Sequence, residues 1–172
     1  MSDDDEESRD RIVVFLRHGR AEEPREGLAD EDRPLTQEGH GEMMQLAAGI
    51  ERAFPRAQTI LSSPFVRAVQ TALRISKAYR SRIKVHETPA LTPSSPPSEF
   101  AALLRGMTER RIIVVGHEPN LTANMLALVG LKNVEHRLAL ERGGCYAVRL
   151  HGDGDGVLEW LLSPRILRKL AE

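Results

Sequence analysis

Two arginines and two histidines stand close behind short apolar runs of the sequence. Arg17 and His18 follow the first run, Arg67 comes shortly after a second, and His117 ends a later one. In an open α/β sheet, ligands bind beyond the carboxyl ends of the strands. Guanidinium groups match phosphate oxygens bidentately, and the free N–H groups of helix starts and tight turns favour anions. The four residues together predict a phosphate-binding site.

Each of these residues also has a plain structural interpretation when it is taken alone. A histidine at a strand end is often only a hydrogen-bonding group, which applies to His18 and to His117. Arg67 could be a solvated arginine, but a cation in the first turn of a helix opposes the helix dipole, and a bound anion would correct this. The conjunction of these residue types at one end of a sheet favours a functional site.

The strands that would position these residues follow from the hydrophobic pattern. The run 12–16 is apolar, β-branched and short, which is typical of a strand buried on both faces, and 111–116 repeats this pattern. Further strands are predicted at 59–61, 83–85, 145–150 and 157–162, the last two joined by a Gly/Asp turn over 151–156.

Helices are predicted between the strands from capping residues and apolar spacing. Thr36 is a good N-cap for a helix with a buried apolar face, and Ser63 with Pro64 predicts the start of a second helix. A third is predicted over about 98–106, and Pro119 is predicted to open a fourth. This alternation predicts an α/β protein, a three-layer α/β/α sandwich whose central sheet is mainly parallel with an antiparallel edge.

The overall composition narrows the class of protein. The 172 residues include 24 Lys and Arg against 25 Asp and Glu, and we predict a single domain over 12–172 after an acidic disordered tail over 1–11. The even charge, without a basic segment rich in aromatic residues, argues against nucleic acid as a partner. With one cysteine, Cys145, and no secretory signal or bilayer-spanning run, we expect a cytoplasmic protein without a membrane partner.

The remaining histidines indicate no metal centre. His40, His86, His136 and His151 have no partners at ligand spacing, and His-Glu-x-x-His does not occur. The Asp/Gly turn at 153–156 lacks the length and the final glutamate of a calcium-binding loop. We expect neither a catalytic metal nor a cofactor.

The ordered motifs around these residues resemble the histidine phosphatase superfamily, which also includes the cofactor-dependent phosphoglycerate mutases. Within it, the chain is most similar to the small bacterial SixA-type phosphohistidine phosphatases, from Ile12 to about Leu170. The motifs that carry the resemblance are Leu16-Arg17-His18-Gly19 with Ala21, Arg33-Pro34-Leu35-Thr36 with Gly39, Ser62-Ser63-Pro64 with Arg67-Ala68 and Gln70-Thr71, Leu91-Thr92-Pro93, Gly116-His117 with Pro119, and Trp160 with Ser163-Pro164 and Leu167.

The resemblance implies a phosphoglycerate mutase-like fold and a metal-independent phosphatase that works through a phosphohistidine intermediate. It implies that His18 is the nucleophile and that the other three residues of the site are catalytic as well. Two neighbouring guanidinium groups are expected to lower the pKa of His18 and keep its ring neutral near pH 7. The residues expected to bind the substrate are Arg17, Gly19, Arg33, Arg67 and His117.

Two departures from the wider superfamily bear on the substrate. Pro93 stands where the mutases and acid phosphatases carry an acidic proton donor, which SixA-type members also lack. Pro24 stands where many larger relatives place a phosphate-binding asparagine, so Arg33 is a candidate to serve nearby, with a loop salt bridge as its equally good alternative role. Imidazole leaving from phosphohistidine needs a proton far less than an alkoxide does. The missing acid favours phosphohistidine on a signalling protein, for example a histidine phosphotransfer domain.

Two other functions remain open from the residues alone. One is a phosphomonoesterase for a small phosphate ester or a phosphopeptide, with Glu22, Glu23 or Glu87 recruited as the acid. The other is a noncatalytic phospho-binding module. His18 argues against a binding module, because phosphate binding requires the arginines but no nucleophile.

Overall fold

One six-stranded sheet organises the chain. The computed structural model describes residues 10–132, 134, 137–138, 140–152 and 156–172. The strands are β1 (Arg11–Arg17), β2 (Thr59–Ser62), β3 (Lys84–Glu87), β4 (Arg111–Gly116), β5 (Cys145–Leu150) and β6 (Gly156–Leu162). Their order across the sheet is β3-β2-β4-β1-β5-β6.

The sheet is mainly parallel. β3, β2, β4 and β1 run in the same direction, and β5 and β6 complete the sheet by antiparallel pairing. β1 lies directly beside β4, with Arg17 opposite Gly116, so the residues that follow these two strands emerge side by side. The predicted parallel sheet with an antiparallel edge is confirmed.

Helices cover both faces of the sheet, because parallel strands must be joined by crossover connections. The helices of the described residues are α1 (Gln37–Ala53), α2 (Val66–Ala78), α3 (Pro97–Arg105), α4 (Asn120–Leu128) and α5 (Pro164–Ala171), with single 3₁₀ turns at Asp30–Asp32 and Pro89–Leu91. Alternate residues of β1 point to opposite faces. Val14 and Leu16 pack with α1, α2 and α5, while Val13 and Phe15 pack with α3 and α4.

The start of α2 differs from the prediction. Ser63 and Pro64 were expected to cap and open this helix, but it begins at Val66 with Phe65 at the N-cap position. The expected cap fails because the Ser63 hydroxyl contacts the His117 ring and receives only the Phe65 N–H from the helix start. A tertiary contact therefore overrides a local capping signal.

Other boundaries shift by a few residues or fall outside the description. The third strand lies at Lys84–Glu87 rather than 83–85, and α5 was not predicted. Most of the expected acidic tail and residues 153–155 of the hairpin turn lie outside the described residues, and β1 already begins at Arg11. In the part of the chain that is described, no helix combines the length and apolar character needed to cross a bilayer.

Candidate active site

His18 directly follows β1 and is only 8% exposed. Its backbone N–H donates to the carbonyl of Gly116 at 3.1 Å, which ties it to the end of β4. Its Nδ1 lies 2.7 Å from the carbonyl oxygen of Gly19. Because a carbonyl oxygen only accepts hydrogen bonds, Nδ1 must carry the proton. The lone pair of the neutral ring is therefore on Nε2.

The surroundings of His18 keep its ring neutral. The pKa of His18 is lowered to about 4, mainly by burial and also by the charges of Arg67, Arg17 and Arg142, while the hydrogen bond to Gly19 acts in the opposite direction. A neutral imidazole with a directed Nε2 lone pair is a competent nucleophile at pH 7. The sequence motifs did not indicate Arg142.

Arg67 connects His18 to an acidic loop. The residue is 4% exposed in the first turn of α2, and its Nε donates to Nε2 of His18 at 3.3 Å. Its Nη1 donates to the carbonyl oxygen of Asp30 at 2.5 Å, and its Nη2 donates to the Asp30 carboxylate at 2.9 Å. Each terminal nitrogen has a second hydrogen, so the guanidinium retains donors for a phosphoryl group.

Arg33 lies behind this contact. Its Nε and Nη2 donate to Oδ1 of Asp30 at 2.8 and 2.6 Å, and its Nη1 donates to the carbonyl oxygen of Glu22 at 2.5 Å. The geometry favours the loop salt bridge over the expected direct contact of Arg33 with substrate. Burial raises the pKa of Asp30, but hydrogen bonds from Arg33 and Arg67 hold it below its ordinary value. Asp30 is therefore ionised and poorly suited to donate a proton.

Gly19 forms hydrogen bonds next to His18 with both of its backbone groups. Its carbonyl accepts from His18, and its N–H donates to Oγ1 of Thr71 at 3.1 Å. A Cβ at this position would lie 2.6 Å from Cγ of Met43, so a side chain does not fit without movement. The expected contact between Gly19 and substrate is not favoured, because its N–H is already used.

His117 follows β4 and is 2% exposed. Its ring centroid lies 5.0 Å from that of His18 and 4.9 Å from that of Phe65. Its Nε2 is 2.8 Å from the hydroxyl of Ser63, while its Nδ1 is buried without a hydrogen-bond partner among the described residues. The pKa of His117 is lowered to about 3, mainly by burial and also by the neighbouring His18 ring and the charge of Arg67, so this ring is also neutral.

Arg17 approaches the site from the end of β1. Its Nη1 donates to the carbonyl oxygen of Leu140 at 2.7 Å, and with Glu118 it lines a cavity of about 390 Å³. Among the described residues, four buried side-chain polar atoms lack a partner, and two of them are Nε of Arg17 and Nδ1 of His117. Buried polar atoms without a partner are costly, so each of these two nitrogens is a candidate to bind a polar group of a ligand.

The acidic residues proposed from the sequence as proton donors make no side-chain hydrogen bond with His18 or Arg67 among the described residues. Glu22 faces Arg25 at 3.5 Å, and Glu23 and Glu87 are exposed. The carboxylates near the site are Asp30 and Glu118, which the motifs did not indicate. Across the described ranges, no three His, Cys, Asp or Glu side chains form a group that could hold a metal ion.

Comparisons with known proteins agree with this geometry. A model of the histidine phosphatase superfamily (branch 1) matches residues 13–92, which include His18 and Arg67. The phosphohistidine phosphatase SixA of Escherichia coli strain K12 is 27% identical over 155 residues, which cover 88% of this chain and 93% of that protein.

Solved structures extend the similarity to the whole fold. A structure of the protein histidine phosphatase SixA complexed with tungstate is 25% identical with a TM-score of 0.80, covering 91% of this chain and 99% of that one. A phosphoserine phosphatase mutant from Entamoeba histolytica, in complex with phosphoserine, is 18% identical with a TM-score of 0.74, covering 91% of this chain and 99% of that one. The second similarity concerns the fold alone.

Proposed function

We propose that the chain is a phosphatase of the histidine phosphatase superfamily and that it dephosphorylates phosphohistidine on another protein through an intermediate on His18. The observation that carries the proposal is the buried, neutral His18 ring, whose Nε2 lone pair faces the Arg67 guanidinium. The name of the SixA relative supports the substrate class. A histidine phosphotransfer domain in the cytoplasm is the kind of partner that we expect.

In the first step, Nε2 of His18 gives up the hydrogen bond from Nε of Arg67, and its lone pair attacks phosphorus in line with the leaving imidazole while the freed N–H turns to a phosphoryl oxygen. The P–N bond to the substrate breaks while the P–N bond to His18 forms. The substrate ring, protonated on its other nitrogen, departs as neutral imidazole. The His18 ring becomes an imidazolium, and its Nδ1–H remains on the Gly19 carbonyl. The transfer is symmetrical in charge and requires no external acid.

In the second step, water attacks phosphorus and the bond to His18 breaks. The water oxygen joins the phosphoryl group, its protons leave with inorganic phosphate, and His18 regains its neutral ring with Nδ1 protonated. Arg17, Arg67 and His117 supply donors for the phosphoryl oxygens during both steps. Preorganised donors of this kind are worth about 3 to 4 kcal/mol each in other enzymes.

A phosphomonoesterase is the second candidate, and Glu118 is the observation that favours it. Burial raises the pKa of Glu118, although hydrogen bonds from Thr122 and the charge of Arg17 oppose this effect. The carboxyl group lines the same cavity as Arg17. A carboxyl whose pKa is raised is a better proton donor to a departing alkoxide than an ordinary glutamate, and general acid catalysis contributes about 10² to 10⁴-fold.

The test compares two substrates with the purified protein in the presence of EDTA. A phosphohistidine peptide and p-nitrophenyl phosphate are incubated with wild type, His18→Ala and the control His86→Ala, which changes an exposed histidine on β3. We expect rapid, EDTA-resistant release of phosphate from the phosphohistidine peptide alone. Wild type and His86→Ala should match, and His18→Ala should lose the activity.

The other outcomes separate the alternatives. Preference for the ester, lost in Glu118→Gln, would establish the phosphomonoesterase and remove phosphohistidine as the substrate. Activity toward neither substrate, with retained phosphate binding, would indicate a noncatalytic binding module. Loss of activity in EDTA would contradict the metal-independent mechanism.

A further inference from the structure

Two consecutive serines are fully buried where β2 meets the segment before α2. The Ser62 hydroxyl donates to the Ser63 carbonyl at 2.9 Å. The Ser63 N–H donates to the carbonyl of Val115 at 2.9 Å, which anchors this residue to β4. The Ser63 hydroxyl accepts from the N–H of Phe65 at 3.3 Å and lies 2.8 Å from Nε2 of His117. Ser63 therefore connects the end of β4, including His117, to the N-terminal end of α2.

The position of the His117 proton follows from counting donors and acceptors. A serine hydroxyl has one hydrogen to donate and accepts up to two hydrogen bonds. The Phe65 N–H occupies one acceptor position of Ser63 and leaves the second one open, so the partner of the hydroxyl hydrogen decides the direction of the bond to His117. Among the described residues, Nε2 of His117 is the acceptor that the hydroxyl hydrogen reaches. Ser63 then donates, Nε2 accepts, and the proton of the neutral ring is on Nδ1.

We propose that Ser63 is a positioning residue that holds His117 in the Nδ1–H tautomer, so that a buried N–H donor faces the phosphoryl group. The catalytic consequence rests on the proposed phosphatase function, whereas the tautomer itself does not. His18 has the same tautomer, fixed by Gly19. The two rings are used in opposite senses, because His18 offers its lone pair and His117 offers its N–H.

The alternative tautomer would place the wrong group in the pocket. With the proton on Nε2 of His117, the Nδ1 lone pair would face phosphoryl oxygens, which are also acceptors. The Ser63 hydroxyl would then have lost the acceptor for its hydrogen. A His117 ring protonated on both nitrogens would also offer an N–H at Nδ1, but burial keeps the ring neutral near pH 7. The donor therefore depends on the neighbouring hydroxyl.

The experiment reads the tautomer directly and does not depend on turnover. Protein labelled with ¹⁵N-histidine is examined by long-range ¹H–¹⁵N correlation, which separates protonated from unprotonated ring nitrogens, for wild type, Ser63→Ala and the matched control Ser62→Ala. We expect protonated Nδ1 of His117 in wild type and Ser62→Ala, and conversion toward protonated Nε2 in Ser63→Ala.

Kinetics with the phosphohistidine peptide test the consequence. In Ser63→Ala, kcat should fall by about 10²-fold, the scale of losing one preorganised donor, while KM changes less because the arginines remain. Ser63→Thr keeps the hydroxyl and should restore both the wild-type tautomer and most of kcat.

Protonated Nε2 in wild type, or an unchanged tautomer in a folded Ser63→Ala, would overturn the proposal. If Ser63→Ala does not fold, the wild-type and Ser63→Thr spectra decide. An inactive wild type with protonated Nδ1 would instead contradict the proposed function and leave the role of Ser63 in the tautomer intact.

Discussion

At the scale of single residues, the position of Arg67 depends on Asp30. The carboxylate of Asp30 accepts from Arg67 through one oxygen and from Arg33 through the other. This arrangement leaves Nε of Arg67 directed at the nucleophile. Asp30 is about half exposed, so its charge is screened by solvent, and its effect on the site is mainly geometric.

Replacing Asp30 by asparagine should therefore lower activity. Arg33 binds one carboxylate oxygen and Arg67 binds the other, so in asparagine an NH2 group replaces one acceptor and faces a guanidinium donor, and Arg67 loses its fixed orientation. We expect kcat/KM for the phosphohistidine peptide to fall by about 10-fold, because small displacements of a positioning group are costly in catalysis. Asp32→Asn in the same 3₁₀ turn is the control and should match wild type. A faster Asp30→Asn variant would show that the carboxylate competes with phosphate.

The sequence could predict the residues that emerge from strand ends but not those that orient them. His18 and His117 follow recognisable buried strands, so their proximity could be inferred from the topology. Ser63 contacts a ring 54 residues away, and Asp30 contacts an arginine 37 residues away. Such contacts depend on the packed positions of loops and side chains, which no local pattern specifies.

At the scale of elements, two identical Ser-Pro signals have different outcomes. Ser163 caps α5 by accepting from the N–H of Ile166 at 3.4 Å, and Pro164 opens the helix, as the rule for helix starts predicts. Ser63 and Pro64 carry the same signal, yet α2 begins later because His117 takes the hydroxyl. Local propensity predicts a helix start only where no tertiary partner competes for the cap.

Helix α1 offers a matched pair of substitutions at two glycines. A Cβ at Gly49 would lie 2.0 Å from the carbonyl oxygen of Leu167, whereas a Cβ at Gly41 would meet nothing within 4 Å. Gly49→Ala should destabilise the protein by about 1 to 3 kcal/mol by separating α1 from α5. Gly41→Ala should stabilise it by roughly 0.5 to 1 kcal/mol through helix propensity. Urea denaturation measures both.

Equal stabilities of these two variants would mean that α5 moves away from α1 at no cost. In that case the close contact at Gly49 would not hold the terminal helix against the sheet. The phosphatase assay is the control for an intact site. Gly41 and Gly49 lie outside the site, so the folded variants should keep wild-type kcat.

At the scale of the whole molecule, the two neutral histidines make stability depend on pH. The pKa values of His18 and His117, at about 4 and about 3, are lower in the folded protein than the ordinary value of 6.5. The unfolded chain therefore binds more protons as pH falls through 6.5, and the free energy of unfolding decreases. Two such groups give a slope of about 3 kcal/mol per pH unit between roughly pH 6 and 4.

Urea denaturation at pH 7, 6 and 5 measures this slope. The variant His117→Gln removes one titrating group and should reduce the slope by about half of the histidine contribution. Carboxylates also titrate in the acid range, so the difference between wild type and variant is the quantity that tests the prediction. Equal slopes would show that His117 titrates normally in the folded protein.

The neighbouring positions of β1 and β4 also have a consequence for how the protein is made. Ile12 pairs with Arg111, so closing this contact joins segments about a hundred residues apart, at an entropic cost of about 4 kcal/mol. At ribosomal speeds of roughly 5 to 20 residues per second, β4 emerges several seconds after β1. During that time His18 has been synthesised but His117 has not. Because β4 and His117 come late in the chain, we expect activity to appear only after most of the chain has been synthesised.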